Sequence, residues 1–271
     1  MKIAKKIEEI PSSLKSPIAL TIGTFDGLHL GHQHLLHNMR KHVKDTGTIV
    51  VLTFANHPLQ VLKQQQSTAK LLNSIEQKIQ LFQDLNVDLL ILLEFSQELS
   101  LLSPEDFLKQ IQTTLPFSHL ILGTGAVFGK GKQGDEKTVK QLEKQLHFEA
   151  EYLPKLVLEG EPVSSGRIRN LIEKGDLEGA FLLLGRPFSL YLPLSINPKD
   201  FQKASINADN YCLPPPGHYE AKILCNEKSF LCTVSIDSNF KVNIDIPGCE
   251  ENLSDVLAEI VFLKTLSKLE F

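Results

Sequence analysis

Ile18-Ala19-Leu20-Thr21-Ile22-Gly23-Thr24-Phe25-Asp26-Gly27-Leu28-His29-Leu30-Gly31-His32 passes from an aliphatic run, through a glycine-marked turn, into an amphipathic segment. Ile18–Gly23 has the length and content of a buried strand, and the stretch from Leu30 to Val43 has helical spacing. Gly23 and Gly27 permit tight backbone turns near a phosphate. In an open parallel sheet, ligands sit beyond the carboxyl ends of strands, where the next helix offers unpaired N–H groups. His29 and His32 stand three apart, so they share a face of the first helical turn, and Gly31 leaves room for a nucleotide against the backbone.

The alternation continues outward. Thr48–Phe54, Val87–Leu93, His119–Gly123 and Tyr152–Leu158 read as strands, with Ile75–Leu85, Pro104–Thr113 and Lys137–His147 as intervening helices. Ser103 ahead of Pro104 and Asp106 is an N-cap with an N1 proline and an acidic first turn. Ser74 with Gln77 has capping-box spacing. Strands separated by helices imply right-handed crossovers and a parallel sheet. A helix from Asp176 to Gly185 ends this region. Residues 190–250 then hold six prolines and short β-type segments at Tyr219–Leu224, Phe230–Ile236 and Lys241–Ile246. Leu253–Leu269 reads as one amphipathic helix. The expected architecture is therefore α/β: a Rossmann-like parallel-sheet domain over residues 1–187, followed over 188–271 by a small β-barrel-like module with a C-terminal helix.

The 271 residues carry 28 Lys plus Arg against 32 Asp plus Glu, a formal net charge of −4. That balance argues against a nucleic-acid binder, which needs a basic excess or stripe. With 42% hydrophobic and 22% charged residues the chain can bury a core. Leu89–Leu93, the longest aliphatic run, is far short of a membrane span, and Met1–Lys15 lacks the apolar stretch of a secretory signal. Cys212, Cys225, Cys232 and Cys249 follow no C-x-x-C spacing, so reduced thiols in a cytoplasmic protein are the expectation.

Five of the nine histidines fall between residues 29 and 42. Two imidazoles aimed at one phosphorus suit nucleotidyl transfer, in which a phosphate oxygen attacks the α-phosphorus of ATP and donors stabilise charge on the surrounding oxygens. A zinc reading of His29, His32, His34 and His37 is weaker, because no Cys, Asp or Glu completes a tetrahedral set locally. Gly125 to Gly129-Lys130 is one residue short of the Walker spacing and continues with Gly131. No G-x-S-x-G elbow occurs.

The H-x-G-H signature with Gly23-Thr24-Phe25-Asp26-Gly27 resembles the nucleotidyltransferase superfamily. Further segments narrow the likeness. Thr53-Phe54-Ala55-Asn56-His57-Pro58 resembles the T-F-x-x-H-P segment of bacterial FAD synthetases, and Val127-Phe128-Gly129-Lys130-Gly131-Lys132-Gln133-Gly134 their F-x-F-G-x-x-x-x-G loop. Val163-Ser164-Ser165-Gly166-Arg167-Ile168-Arg169 is similar to their V-S-S-S-x-I-R motif, and Leu184-Gly185-Arg186-Pro187-Phe188 to their L-G-R-P-Y/F. The resemblance implies substrates FMN and ATP, with Mg²⁺ on the triphosphate, and FAD as product. It implies catalytic roles for His29 and His32, and ATP contacts from Gly23, Thr24, Phe25, Asp26, Gly27, Gly31, Ser164, Ser165 and Arg169. Phe54, His57, Pro58 and Phe128 fall on the flavin side, although each phenylalanine reads equally well as core.

Two departures stand out. Gly125-Ala126 occupies the place of Asp or Asn followed by Phe, and Gly166 replaces a hydroxyl residue. These synthetases usually continue into a riboflavin kinase barrel, which Leu213-Pro214-Pro215-Pro216-Gly217-His218-Tyr219 resembles at one strand entry. The kinase's G-R-x-L-G-F-P-T-A-N segment is absent between Phe188 and Tyr211, and Val242-Asn243 stands where V-E would supply the catalytic Glu. An amide cannot accept the ribityl proton, so the kinase activity is expected to be lost. The alternatives are a bifunctional kinase and synthetase, or a non-catalytic flavin or nucleotide sensor.

Overall fold

The structure, a computed structural model, describes residues 1–44, 46–56, 58, 61, 70–197, 200–250, 253 and 256–268. These form two compact units. One comprises Met1–Phe25, Gly31–Ala69 and Ile79–Pro162; the other comprises Asp26–Leu30, Lys70–Lys78 and Val163–Phe271.

The first unit is built on six parallel strands: β1 (Lys2–Ala4), β2 (Ile18–Ile22), β3 (Thr48–Phe54), β4 (Leu89–Leu93), β5 (His119–Gly123) and β6 (Glu149–Leu153). Every residue of β2 and β4 is buried, as a parallel sheet covered on both faces requires. Helices among the described residues up to β6 include α1 (Leu30–Val43), α2 (Ile75–Asp84), α3 (Gln97–Leu101), α4 (Pro104–Thr114) and α5 (Glu136–Leu146). Ser103 caps α4 by accepting from the Asp106 N–H at 3.0 Å, and Asp135 caps α5 through Thr138 at 2.9 Å.

Strand order is β1-β4-β3-β2-β5-β6. From β2 the chain runs outward through β3 and β4, then returns to β2's other side with β5 and β6. The direction of winding reverses between β2 and β5, which makes the loop after β2 the topological switch point. Strand β1, parallel to β4 at the edge, is too short to show a period in sequence. The expected strand Tyr152–Leu158 is instead broken at Pro154, whose fixed φ and missing N–H end β6. A two-stranded hairpin follows, β7 (Val157–Leu158) with β8 (Glu161–Pro162).

The second unit contains helices α6 (Ser165–Glu173) and α7 (Leu177–Leu184). Asp176 caps α7 through the Gly179 N–H at 2.8 Å, and Gly185 ends it at φ +73°. Seven antiparallel strands follow: β9 (Ser189–Pro193), β10 (Ser195–Asn197), β11 (Asp200–Ile206), β12 (Gly217–Cys225), β13 (Lys228–Ile236), β14 (Val242–Asp245) and β15 (Leu257–Lys268). Their order is β10-β11-β14-β13-β12-β15-β9. Only Leu194 separates β9 from β10, yet they occupy opposite edges. One residue spans about 3.5 Å, so the sheet must curl until its edges nearly meet, giving a near-closed barrel. Phe262 fills it, stacked on Phe188 at 5.6 Å and edge-on to Tyr219 at 5.7 Å.

The expected C-terminal helix over Leu253–Leu269 is not formed. Leu257–Lys268 is a strand, hydrogen-bonded to β12 on one side and β9 on the other. Val256-Leu257 and Ile260-Val261 satisfy helical spacing, but Ala258, Ile260 and Phe262 also alternate, and only these three are turned into the barrel. Pairing on both edges outweighs the helical reading. The four cysteines are buried thiols outside any disulfide. Among the described residues, no helix is long and apolar enough to cross a membrane.

Candidate active site

The loop leaving β2 begins in the first unit. The Gly23 N–H donates to the Leu52 carbonyl at 3.1 Å, continuing the strand pairing by one residue. Thr53 Oγ1 donates to the Thr24 carbonyl at 3.2 Å. Phe25, at φ +47°, turns its ring inward, edge-on to Phe82 at 5.6 Å and to the His32 imidazole at 5.0 Å. A Cβ on Gly23 would come within 3.0 Å of that ring. A side chain at Gly23 would therefore crowd the Phe25 ring. Phe25, expected to contact ATP, is buried and packs against His32, a residue of the first turn of α1.

The rest of the loop, Asp26–His29, is held inside the second unit. Asp26 is buried; its carboxylate accepts from the Leu72 N–H at 3.0 Å and from Arg169 Nη2 at 2.5 Å. Its carbonyl accepts from Ser165 Oγ at 2.8 Å. Gly27 adopts φ +82°, donates to Asn73 Oδ1 at 2.7 Å, and lies so close to Leu72 that a Cβ would stand 2.7 Å from Cδ1. Arg186 donates from Nη2 to the Gly27 carbonyl at 2.8 Å and from Nη1 to the Leu28 carbonyl at 3.5 Å.

His29 directly precedes α1 and is 5% exposed. Burial, reinforced by the positive Arg186, lowers its pKa to about 4 against the opposing pull of its backbone hydrogen bond. The imidazole is therefore neutral near pH 7, with one nitrogen a donor and the other an acceptor. Lys78 is also buried; loss of hydration lowers its pKa to about 8, and the nearby Asp26 carboxylate pulls the other way.

At the start of α6, Ser164 accepts from the Arg167 N–H at 3.2 Å and so serves as N-cap. Nothing lies within 4 Å of the position a Cβ would take on Gly166. Arg169, one turn on, also donates from Nε to the Lys70 carbonyl at 2.7 Å. The helix N-terminus and its arginine are therefore tied to Asp26 and to the Lys70 carbonyl.

The residues expected on the flavin side lie in the first unit. Phe54 ends β3 half-buried, edge-on to Phe95 at 5.2 Å. Asn56 braces that neighbourhood by two hydrogen bonds with the Phe95 backbone, at 2.9 and 2.7 Å. Phe128 packs near Phe107 at 5.9 Å, and its backbone pairs with Gly134 across the glycine-rich loop. Pro58 is half-buried, and His57 lies outside the described residues.

A family model for FAD synthetase matches residues 12–167, more than half the chain. The chain belongs to the FAD synthetase family. It is 30% identical over 210 residues to the FAD synthetase of Listeria monocytogenes, covering 78% of this chain and 83% of that one. It is 29% identical over 253 residues to the bifunctional riboflavin kinase/FMN adenylyltransferase of Bacillus subtilis, covering 89% and 79% of the two. The corresponding bifunctional protein of Buchnera aphidicola is 34% identical over 193 residues, 70% of this chain and 61% of its own length. A solved structure titled macrolide-efflux protein, from Streptococcus pneumoniae, superposes over 100% of this chain and 91% of its own with a TM-score of 0.82. At 21% identity that likeness establishes the fold alone.

Within this FAD synthetase family chain, the motif reading located Asp26, Ser165 and Arg169, which the structure joins directly. It did not single out Asn73, Lys78 or a role for Arg186. Asn73 and Lys78 carry no motif of their own; their place beside the loop comes from tertiary folding. Arg186 did carry a signal, the Leu184-Gly185-Arg186-Pro187 segment, which shows an arginine but not its target.

Proposed function

We propose that the chain is an FMN adenylyltransferase, converting FMN and Mg-ATP to FAD and pyrophosphate. The observation that carries this reading is the loop that leaves β2 at the switch point of a parallel sheet and brings His29 and His32 to the start of α1. A phosphate oxygen of FMN attacks the α-phosphorus of ATP; the new P–O bond forms as the bond to the β-phosphate oxygen breaks, and pyrophosphate departs with its magnesium. No covalent enzyme intermediate is needed.

His29, neutral at pH 7, acts as a hydrogen-bond donor to the α-phosphate oxygens rather than as a fixed charge. His32, its ring steadied by Phe25, is the second donor. Gly23, Thr24, Gly27 and Gly31 keep the backbone close to the nucleotide, while Ser164, Ser165 and Arg169 bind phosphates. Phe54, His57, Pro58 and Phe128 flank the flavin. Magnesium is part of the Mg-ATP substrate; among the described residues, no group of three or more His, Cys, Asp or Glu is placed to hold a metal.

The β module is assigned no kinase activity. Val242 opens β14, and at Asn243 the strand carries an amide. A carboxamide does not take up the proton that a ribityl hydroxyl must lose. The functional division therefore follows residues 1–187 and 188–271.

The reading is tested by His32→Ala. Loss of a charge-stabilising donor is expected to cut FAD formation by ~10²-fold or more while circular dichroism stays native. Turnover within a few-fold of the unmodified chain contradicts the assignment.

A further inference from the structure

The segment that precedes α2 meets the loop that carries His29, and the two exchange hydrogen bonds reciprocally. The Leu72 N–H donates to the Asp26 carboxylate at 3.0 Å, and the Gly27 N–H donates to Asn73 Oδ1 at 2.7 Å. Each segment gives a backbone donor and receives a side-chain oxygen from the other. Asp26 is 3% exposed and Asn73 2%, so bulk water does not compete for either bond.

Gly27 is held at its other end as well, where its carbonyl accepts from Arg186 Nη2 at 2.8 Å. Its φ is +82°, and that of the next residue, Leu28, is +35°. A left-handed leucine is strained and persists only where its neighbours over-determine the backbone. Asn73 at the N–H and Arg186 at the carbonyl of Gly27 supply that constraint, and His29 follows Leu28 directly.

A side chain positions another group only as firmly as its own backbone is held. Around Asn73 that backbone is pinned. The Lys70 carbonyl accepts from Arg169 Nε at 2.7 Å. Leu71 donates to the Asn210 carbonyl at 2.9 Å and accepts from the Cys212 N–H at 2.8 Å, in the connection between β11 and β12. Ser74 accepts from the Gln77 N–H at 3.1 Å at the start of α2. Stability alone does not account for an amide at residue 73. Its Nδ2 is buried with no partner among the described residues, and a buried donor left unpaired is a cost.

We propose that Asn73 is a positioning residue of the adenylyl-transfer site: its Oδ1 fixes the Gly27 peptide and, through it, the left-handed turn that sets His29. The β module takes part in this, because Asn210 and Cys212 anchor the segment on which Asn73 stands. The inference rests on the FMN adenylyltransferase assignment.

The test uses the full chain and two variants of nearly the same shape. Asn73→Leu removes the acceptor, whereas Asn73→Asp keeps it. Asn73→Leu is expected to lower kcat for FAD formation about tenfold, with KM for FMN and ATP within about threefold. In the same variant the His29 pKa, held at about 4 chiefly by burial, is expected to rise toward the ordinary 6.5, as read from its ring protons by NMR. Asn73→Asp is expected to keep kcat within about threefold of the native value. A residue that merely fills space would tolerate both substitutions alike. A threefold or smaller loss of kcat in Asn73→Leu, or a His29 pKa still near 4 in that variant, overturns the positioning role. So does a more than threefold loss in Asn73→Asp, which decides the matter by itself if Asn73→Leu does not fold. Absence of FAD from the native chain overturns the adenylyltransferase reading, while the His29 titration still decides whether Asn73 sets the loop.

Discussion

Asp26 and Arg169, 143 residues apart in sequence, form an ion pair at 2.5 Å in which the carboxylate is 4% exposed and the guanidinium 20%. The pair is the clasp between the loop after β2 and the start of α6. Its carboxylate is further satisfied by the Leu72 N–H, and Lys78 adds a second positive charge nearby. Buried pairs of this kind give little net stability when intact and cost much when one partner is removed.

Asp26→Ala is therefore expected to destabilise the fold by about 3 kcal/mol, because Arg169 and Lys78 lose their counter-charge. Arg169→Ala costs less, since Lys78 and the Leu72 N–H still face the carboxylate, but it raises the KM for ATP at least tenfold. Urea denaturation of the two single variants and the double variant measures the coupling. A coupling energy near zero contradicts the clasp.

His29 makes stability depend on pH. Its pKa falls from 6.5 to about 4 on folding, so the unfolded chain takes up a proton between those values and the folded chain does not. Stability is fully present above pH 6.5, declines as pH falls, and levels off below 4. Between pH 7 and 5 the loss attributable to His29 is about 2 kcal/mol. His29→Gln is expected to flatten that part of the stability profile, and unchanged pH dependence in the variant contradicts a buried neutral imidazole.

Much of the loop after β2 was legible because its residues announce their backbone needs. Gly27 sits at φ +82°, where other residues are strained, and Ser103, Ser164 and Asp176 cap the helices they precede. Ser165 and Arg169, which one motif sets four residues apart, both bond Asp26. The C-terminal strand was not legible, because Val256–Phe262 fits both a 3.6 and a 2.0 period and its pairing partners lie far away in sequence. Lys78 was opaque for the same reason: a lone charged residue shows its surroundings only after the chain has folded. At Gly23 the sequence shows the turn but not the Phe25 ring packed 3.0 Å from where a Cβ would stand.

Gly166 leaves open space at the second residue of α6. Gly166→Ser should fit without displacement and stabilise the helix by about 0.5 kcal/mol, with the added hydroxyl lowering the KM for ATP a few-fold. Thermal unfolding and ATP titration check the two effects separately. A destabilised variant contradicts the steric reading of this position.

Asn243 predicts the fate of riboflavin. Incubated with riboflavin and Mg-ATP, the chain is expected to yield neither FMN nor FAD, as followed by reversed-phase chromatography. Accumulation of either product contradicts the loss of kinase chemistry.

The most direct measurement incubates the purified chain with FMN and Mg-ATP and quantifies flavins and pyrophosphate together. FAD and pyrophosphate appearing in equal amounts, with FMN consumed to match, is the predicted result. A folded chain that binds FMN or ATP yet releases no pyrophosphate and forms no FAD contradicts the account.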